Sequence, residues 1–112
     1  MVDSDLRSQL RHILERHEGR DRAITGCELA RMLGQHDDRR IRLLIRELIT
    51  GGLPIASSTE APAGYFLVGS WQEAERYAEG EKSRLIEIAL RRRDFRRGAA
   101  LRLAPAEQGR LI

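Results

Sequence analysis

Four arginines, Arg39, Arg40, Arg42 and Arg46, crowd into one short stretch. A guanidinium stays charged at any physiological pH. Its planar fork of donors fits phosphate oxygens and the acceptor edge of guanine. The chemistry on offer is recognition of an anionic polymer rather than bond making. Spacing gives these side chains a common address. Ile41, Leu44, Ile45 and Leu48 recur at i, i+3, i+4 and i+7, the apolar stripe of a helix, which leaves Arg39, Arg42 and Arg46 on the opposite face. Arg40 lies at the helix start. An arginine near the beginning of such a helix reaches base edges, and those further along meet phosphates. Taken alone, the run also fits a solvated face on an ordinary helical bundle.

The remaining reactive side chains form no recognisable centre. His12 and His17 are five apart, not the i, i+4 spacing of a helical metal pair, and nothing orders them with Cys27 and His36. Surface or loop histidines and no metal are expected. Cys27, near a helix start, lacks a partner that would make it a nucleophile, so it is expected to be a buried small hydrophobe. No glycine-rich phosphate loop, nucleophile elbow or paired-carboxylate pattern occurs, so neither an enzyme nor a cofactor is expected. A single cysteine excludes an intramolecular disulfide and points to a reducing compartment.

Elements that would position the arginines can be read from caps and breakers. Asp3 or Ser4 caps a first helix with Leu6, Leu10, Ile13 and Leu14 on one face, ending near His17. Ala23-Ile24 is a one-bridge strand. Thr25-Gly26-Cys27-Glu28 is a capping box that opens a second helix through Leu29, Ala30, Met32 and Leu33, stopped by Gly34. Ala30 is small enough for a close helix crossing. Asp37 or Asp38 caps the arginine-bearing helix, at about 38–50, and Gly51-Gly52 closes it. Leu53 to Ser58 and Tyr65 to Val68 read as two strands, joined by a loop containing Pro62 and Gly64. Ser70-Trp71-Gln72-Glu73 is a second capping box. It opens a long helix to about Arg97 whose positions Trp71, Ala74, Ala78, Leu85, Ile88 and Phe95 fall close to a 3.5-residue spacing, interrupted by Glu81 and Arg92. From Gly98 onward, small residues with Pro105 and Gly109 predict a frayed tail.

Composition agrees with this layout. With 112 residues the chain has room for one modest core, and its aromatics are few, so that core is mostly Leu, Ile and Ala, which favours helices. Residues 91–112 hold seven Arg against Asp94 and Glu107, whereas residues 1–90 hold 13 basic and 15 acidic side chains. The arginines at 39–46 are thus a local basic cluster within an acidic body. No apolar run has the length of a membrane span, and MVDSDLRSQL has no signal-peptide h-region. A cytoplasmic protein is the expectation.

The segments LARMLG, RRIRLLIRELITGGLPIASS and GYFLVGSWQEAERY resemble the winged helix-turn-helix of the biotin-operon-repressor type, closest to small phage and prophage versions. Gly52-Leu53-Pro54-Ile55-Ala56-Ser57 and Gly64-Tyr65 carry the likeness most specifically, and it extends over about residues 6–97. The resemblance implies a mainly α fold with a small β-hairpin wing (α+β), followed by a long C-terminal helix. It divides the chain into a winged helix-turn-helix at 1–69, a long helix at 70–97 and a flexible tail at 98–112. It further implies that the helix at 38–50 enters the major groove of double-stranded DNA and that the hairpin at 53–68 is the wing. Arg39, Arg40, Arg42 and Arg46 inherit the recognition role, with Ser57, Ser58 and Thr59 as wing contacts.

Three departures from the family pattern favour a competing class. The turn Gly34-Gln35-His36-Asp37 is longer by about one residue than the usual version and lacks its apolar residue. Asp37 and Asp38 sit beside the arginines. The wing has no Lys or Arg and carries Glu60. These suit a winged-helix adaptor that binds a phage or host protein in a replication or packaging complex. A third option is non-specific coating of nucleic acid by the run Arg91–Arg97. The leading expectation is a dimeric phage, prophage or bacterial transcriptional regulator. Leu85, Ile88 and Phe95 are the dimerisation residues, because a helix of that length outruns the core of so small a domain.

Overall fold

The aliphatic stripes of three helices converge on one core. In the computed structural model, which describes residues 3–103, α1 (Asp3–Leu14), α2 (Gly26–Met32) and α3 (Arg39–Thr50) precede an antiparallel hairpin of β1 (Ile55–Ser58) and β2 (Gly64–Leu67), and α4 (Trp71–Arg102) follows. Leu6, Leu10 and Leu14 of α1 meet Leu29 and Ala30 of α2 and Ile41, Leu44, Ile45 and Leu48 of α3, with Ile24, Leu33 and Ile55 at the margins. Leu10, Leu14, Leu29, Ile41 and Leu44 are fully buried. Among the described residues no polar or charged residue is buried as a whole, so this core rests on apolar burial. The chain is mainly helical with one small hairpin, as the sequence predicts. Among the described residues no helix is long and apolar enough to cross a membrane.

Helix ends follow the expected chemistry with local differences. Thr25 Oγ1 accepts the Glu28 N–H at 3.1 Å. The return half of that capping box is not made, because the Glu28 carboxylate turns to Arg31 instead. Replacing Thr25 by Ala is expected to lower stability by about 1 kcal/mol, read as a shifted denaturation midpoint. Both α2 and α3 end in paired closing bonds around a left-handed glycine. Gln35 N–H reaches Ala30 O at 2.8 Å past Gly34 (φ 70°), and Leu53 N–H reaches Leu48 O at 3.0 Å past Gly52 (φ 106°). At the second predicted box, Ser70 Oγ accepts Glu73 N–H at 3.1 Å, while the Glu73 carboxylate takes Gly69 N–H at 2.8 Å and Arg20 N–H at 3.1 Å. Glu73 therefore ties the start of α4 to a 3-10 turn at Arg20–Arg22.

The hairpin is held to the helical core by backbone alone at one point. Ile24 N–H donates to Tyr65 O at 2.8 Å, and Tyr65 N–H donates to Ile24 O at 2.7 Å, the one-bridge strand expected there. Gly64 makes this approach possible. Its φ is 126°, and a Cβ at that position would stand 2.2 Å from Ile24 O. Leu67 adds a second bridge, to Glu18.

Three expectations are corrected. Cys27 is exposed rather than buried, because the inward face of α2 is taken by Leu29 and Ala30. Trp71, counted with the packed stripe of the last helix, is 77% exposed. Helix α4 continues to Arg102, five residues past its expected end, since Ala99, Ala100, Leu101 and Arg102 are all strong helix formers and outweigh Gly98. The rest of the expected tail, from 104 on, lies outside the described residues, and the expected cap of α1 falls at their edge. α1 itself closes at Leu14, followed by a turn in which His17 Nδ1 donates to Arg22 O at 2.7 Å.

The chain divides into two compact units between Glu75 and Arg76, inside the second turn of α4. The first unit holds the core and the hairpin. In the second, α4 has no buried residue.

Candidate nucleic-acid interface

Helix α3 is presented by its own apolar stripe. Ile41, Leu44, Ile45 and Leu48 face the core, and Arg39, Arg40, Arg42 and Arg46 are all exposed, as their spacing predicts. Gly26 sets how closely α2 meets the start of α3. A Cβ there would sit 3.2 Å from Asp38 Oδ2 and 3.5 Å from the Tyr65 ring. The two aspartates beside the arginines are occupied. Asp37 Oδ1 accepts the Arg39 N–H at 3.1 Å, and Asp38 Oδ1 lies 3.7 Å from Arg42 Nη2. Asp38 holds the N-cap position without a side-chain cap bond and is the i, i+4 partner of Arg42, while Asp37 one residue earlier takes the first N–H of the helix, which offsets their charge locally.

The crest of α3 is Arg39, Leu43, Arg46 and Thr50, at i, i+4, i+7 and i+11. Arg39 and Arg46 carry no ion pair among the described residues. Leu43 is 57% exposed between them, a residue that attention to charge alone misses although the helical period places it there. An open groove beside the crest is lined by Arg7, Leu43, Arg46, Glu47, Thr50 and Gly51. Arg7 comes from α1, and its Nε is buried without a hydrogen-bond partner among the described residues. Arg11 lines the neighbouring hollow at the end of α3. Two arginines of α1 thus join Glu47 in bordering the hollows beside α3, and only the packing of α1 against α3 reveals them.

The hairpin residues divide. Ser57 and Thr59 are exposed. Ser58 is half-buried, and its hydroxyl is engaged within the turn, donating to Glu60 O at 3.1 Å and accepting Glu60 N–H at 3.2 Å. Glu60 has a counter-ion that the sequence does not announce, because Arg20 Nη2 lies 3.2 Å from Glu60 Oε2 across forty residues of chain. A guanidinium thus stands at a hairpin that has no basic residue of its own. Elsewhere on the first unit, the Arg31 hydrogen bond holds the Glu28 carboxyl below the usual carboxylate range, and Glu28 raises the Arg31 guanidinium in turn. No group of three or more His, Cys, Asp or Glu is placed to hold a metal ion among the described residues. His12 and His36 are exposed and His17 is half-buried.

Leu85, Ile88 and Phe95 lie in the second unit, all of them exposed on α4. Compared with protein-family models, curated proteins and solved structures, the chain matches none of them.

Proposed function

We propose that the first unit is a winged helix-turn-helix that binds double-stranded DNA, with α3 in the major groove and the β1–β2 hairpin as wing. The observation that carries this reading is the division of α3 into a buried aliphatic face and a crest with Arg39 and Arg46 unpaired. Such a crest costs little to dock, since no existing ion pair has to be broken first. Arg39, at the helix start, addresses base edges, and Arg40, Arg42 and Arg46 address phosphates. Arg20, paired with Glu60, offsets the negative charge of the hairpin, and Ser57 and Thr59 are its exposed polar contacts. The reading includes no chemical step on the nucleic acid and no cofactor. It describes a cytoplasmic regulator of phage, prophage or bacterial origin that acts as a dimer through Leu85, Ile88 and Phe95.

One observation favours a second reading. Leu43 and Ile49 are both about half exposed or more on α3, which suits a protein partner in a replication or packaging complex. Titration of labelled duplex DNA at low salt separates the two. Arg39→Ala and Arg42→Ala are expected to weaken duplex binding about 5- to 100-fold without lowering the melting temperature, because both side chains point away from the core. Arg42→Ala is expected to show the smaller loss, since Arg42 already spends part of its charge on Asp38. Equal affinity of variants and parent would remove α3 from the interface and leave the adaptor.

A further inference from the structure

Beyond Arg76, α4 offers a seam that is complementary to itself when reversed. Ala78, Glu81, Leu85, Ile88, Arg92 and Phe95 follow one another at alternating steps of three and four residues, the spacing of a coiled-coil seam. All six are exposed, Leu85 at 68% and Phe95 at 74%. The two charges, which interrupt an otherwise apolar line, stand at equal distances on either side of its centre. Arg92 has no ion pair among the described residues, while Glu81 is bonded only to Arg84 on its own helix.

We propose that two copies of this chain pair antiparallel through α4, about a two-fold axis between Ile86 and Glu87, with Glu81 of each copy against Arg92 of the other. The same axis sets Leu85 against Ile88 of the second copy and small Ala78 against large Phe95, in both directions. Each layer is thus matched in charge or in size. A parallel pair in register would do the opposite. It would stack Glu81 on Glu81, Arg92 on Arg92 and Phe95 on Phe95, leaving two like-charge layers inside the seam and a hollow at Ala78. Charge therefore selects the orientation and the register together. Arg84 and Arg91 flank the antiparallel seam as like charges and weaken it without displacing it. This pairing gives the self-association named above a geometry, and it is independent of what α3 binds.

The experiment uses the full chain with Cys27→Ser, so that only introduced thiols react. A Glu81→Cys chain, an Arg92→Cys chain and their equimolar mixture are oxidised in parallel. The mixture is expected to give a covalent dimer, because the two introduced thiols share one layer and one native Glu81–Arg92 pair survives in the mixed dimer. Neither chain alone is expected to link, since two copies of position 81 lie about 16 Å apart along the antiparallel axis. Linkage of the Glu81→Cys chain to itself overturns the orientation, and absence of linkage in the mixture overturns the pairing. Sedimentation gives a second reading without cysteines. Glu81→Arg and Arg92→Glu are each expected to weaken self-association more than tenfold, and the double variant to restore it to within about threefold. Equal self-association of all four chains, or a monomeric parent at high micromolar concentration, overturns it as well. None of these measurements involves DNA, so their failure is separate from failure of the DNA-binding reading.

Discussion

Leu44→Ala is expected to remove about 2–5 kcal/mol of stability, a large part of what a domain of this size possesses. Leu44 is 2% exposed at the centre of the inward face of α3 and lies in the same cluster as Leu10, Leu14 and Leu29. That core contains aliphatic side chains and no buried polar network, so nothing else in it compensates for a void. Leucine to alanine removes the transfer free energy of the lost atoms and leaves a cavity that three helices cannot all close upon. The variant should melt at a much lower temperature and, where still folded, should bind its partner through an unchanged crest. An unchanged melting temperature would mean that α3 presents another face to the core, and the assignment of Arg39 and Arg46 to the outside would fall with it.

Reversing two charges on the crest should have the largest effect on binding. Arg39→Glu combined with Arg46→Glu is expected to lower affinity for duplex DNA at low salt by at least about 100-fold, because two favourable contacts are lost and two repulsive ones take their place. The fold should tolerate both changes. Neither side chain has an ion pair among the described residues, and a glutamate in the first turn suits the helix dipole better than the arginine it replaces. A competition titration with circular dichroism on the same samples reads both quantities. Retained affinity in a folded double variant would show that the crest of α3 is not the contact surface.

The parts of this molecule that were legible in the sequence are those governed by short-range periodicity and punctuation. The i, i+3, i+4, i+7 stripe of Ile41, Leu44, Ile45 and Leu48 fixed which arginines face outward, and Thr25, Gly34 and Gly52 marked helix ends by their own conformational preferences. What the sequence hid depends on distant neighbours. The pairing of Arg20 with Glu60, the placing of Arg7 beside Arg46 and the fit of Gly64 against Ile24 each join segments whose separation no local pattern records. Cys27 and Trp71 were misplaced for a related reason. Both types are usually buried, but the inward face of α2 is filled by Leu29 and Ala30, and Trp71 opens a helix that buries no residue. Glu81 and Arg92 read as interruptions along one helix. The proposed reversed pairing of two copies gives them a role together.

The contact of α3 with a phosphate backbone is tested most directly by the affinity of the parent chain for duplex DNA over a salt series. Each phosphate neutralised by an arginine releases condensed counterions, so the logarithm of the binding constant should fall linearly with the logarithm of salt concentration. With Arg39 on a base edge and Arg40, Arg42 and Arg46 on phosphates, the predicted slope is about −2.7 for one protomer and about −5 for a dimer that docks both copies of α3. A folded chain that binds no duplex at low salt, or whose affinity does not change with salt, would contradict the account.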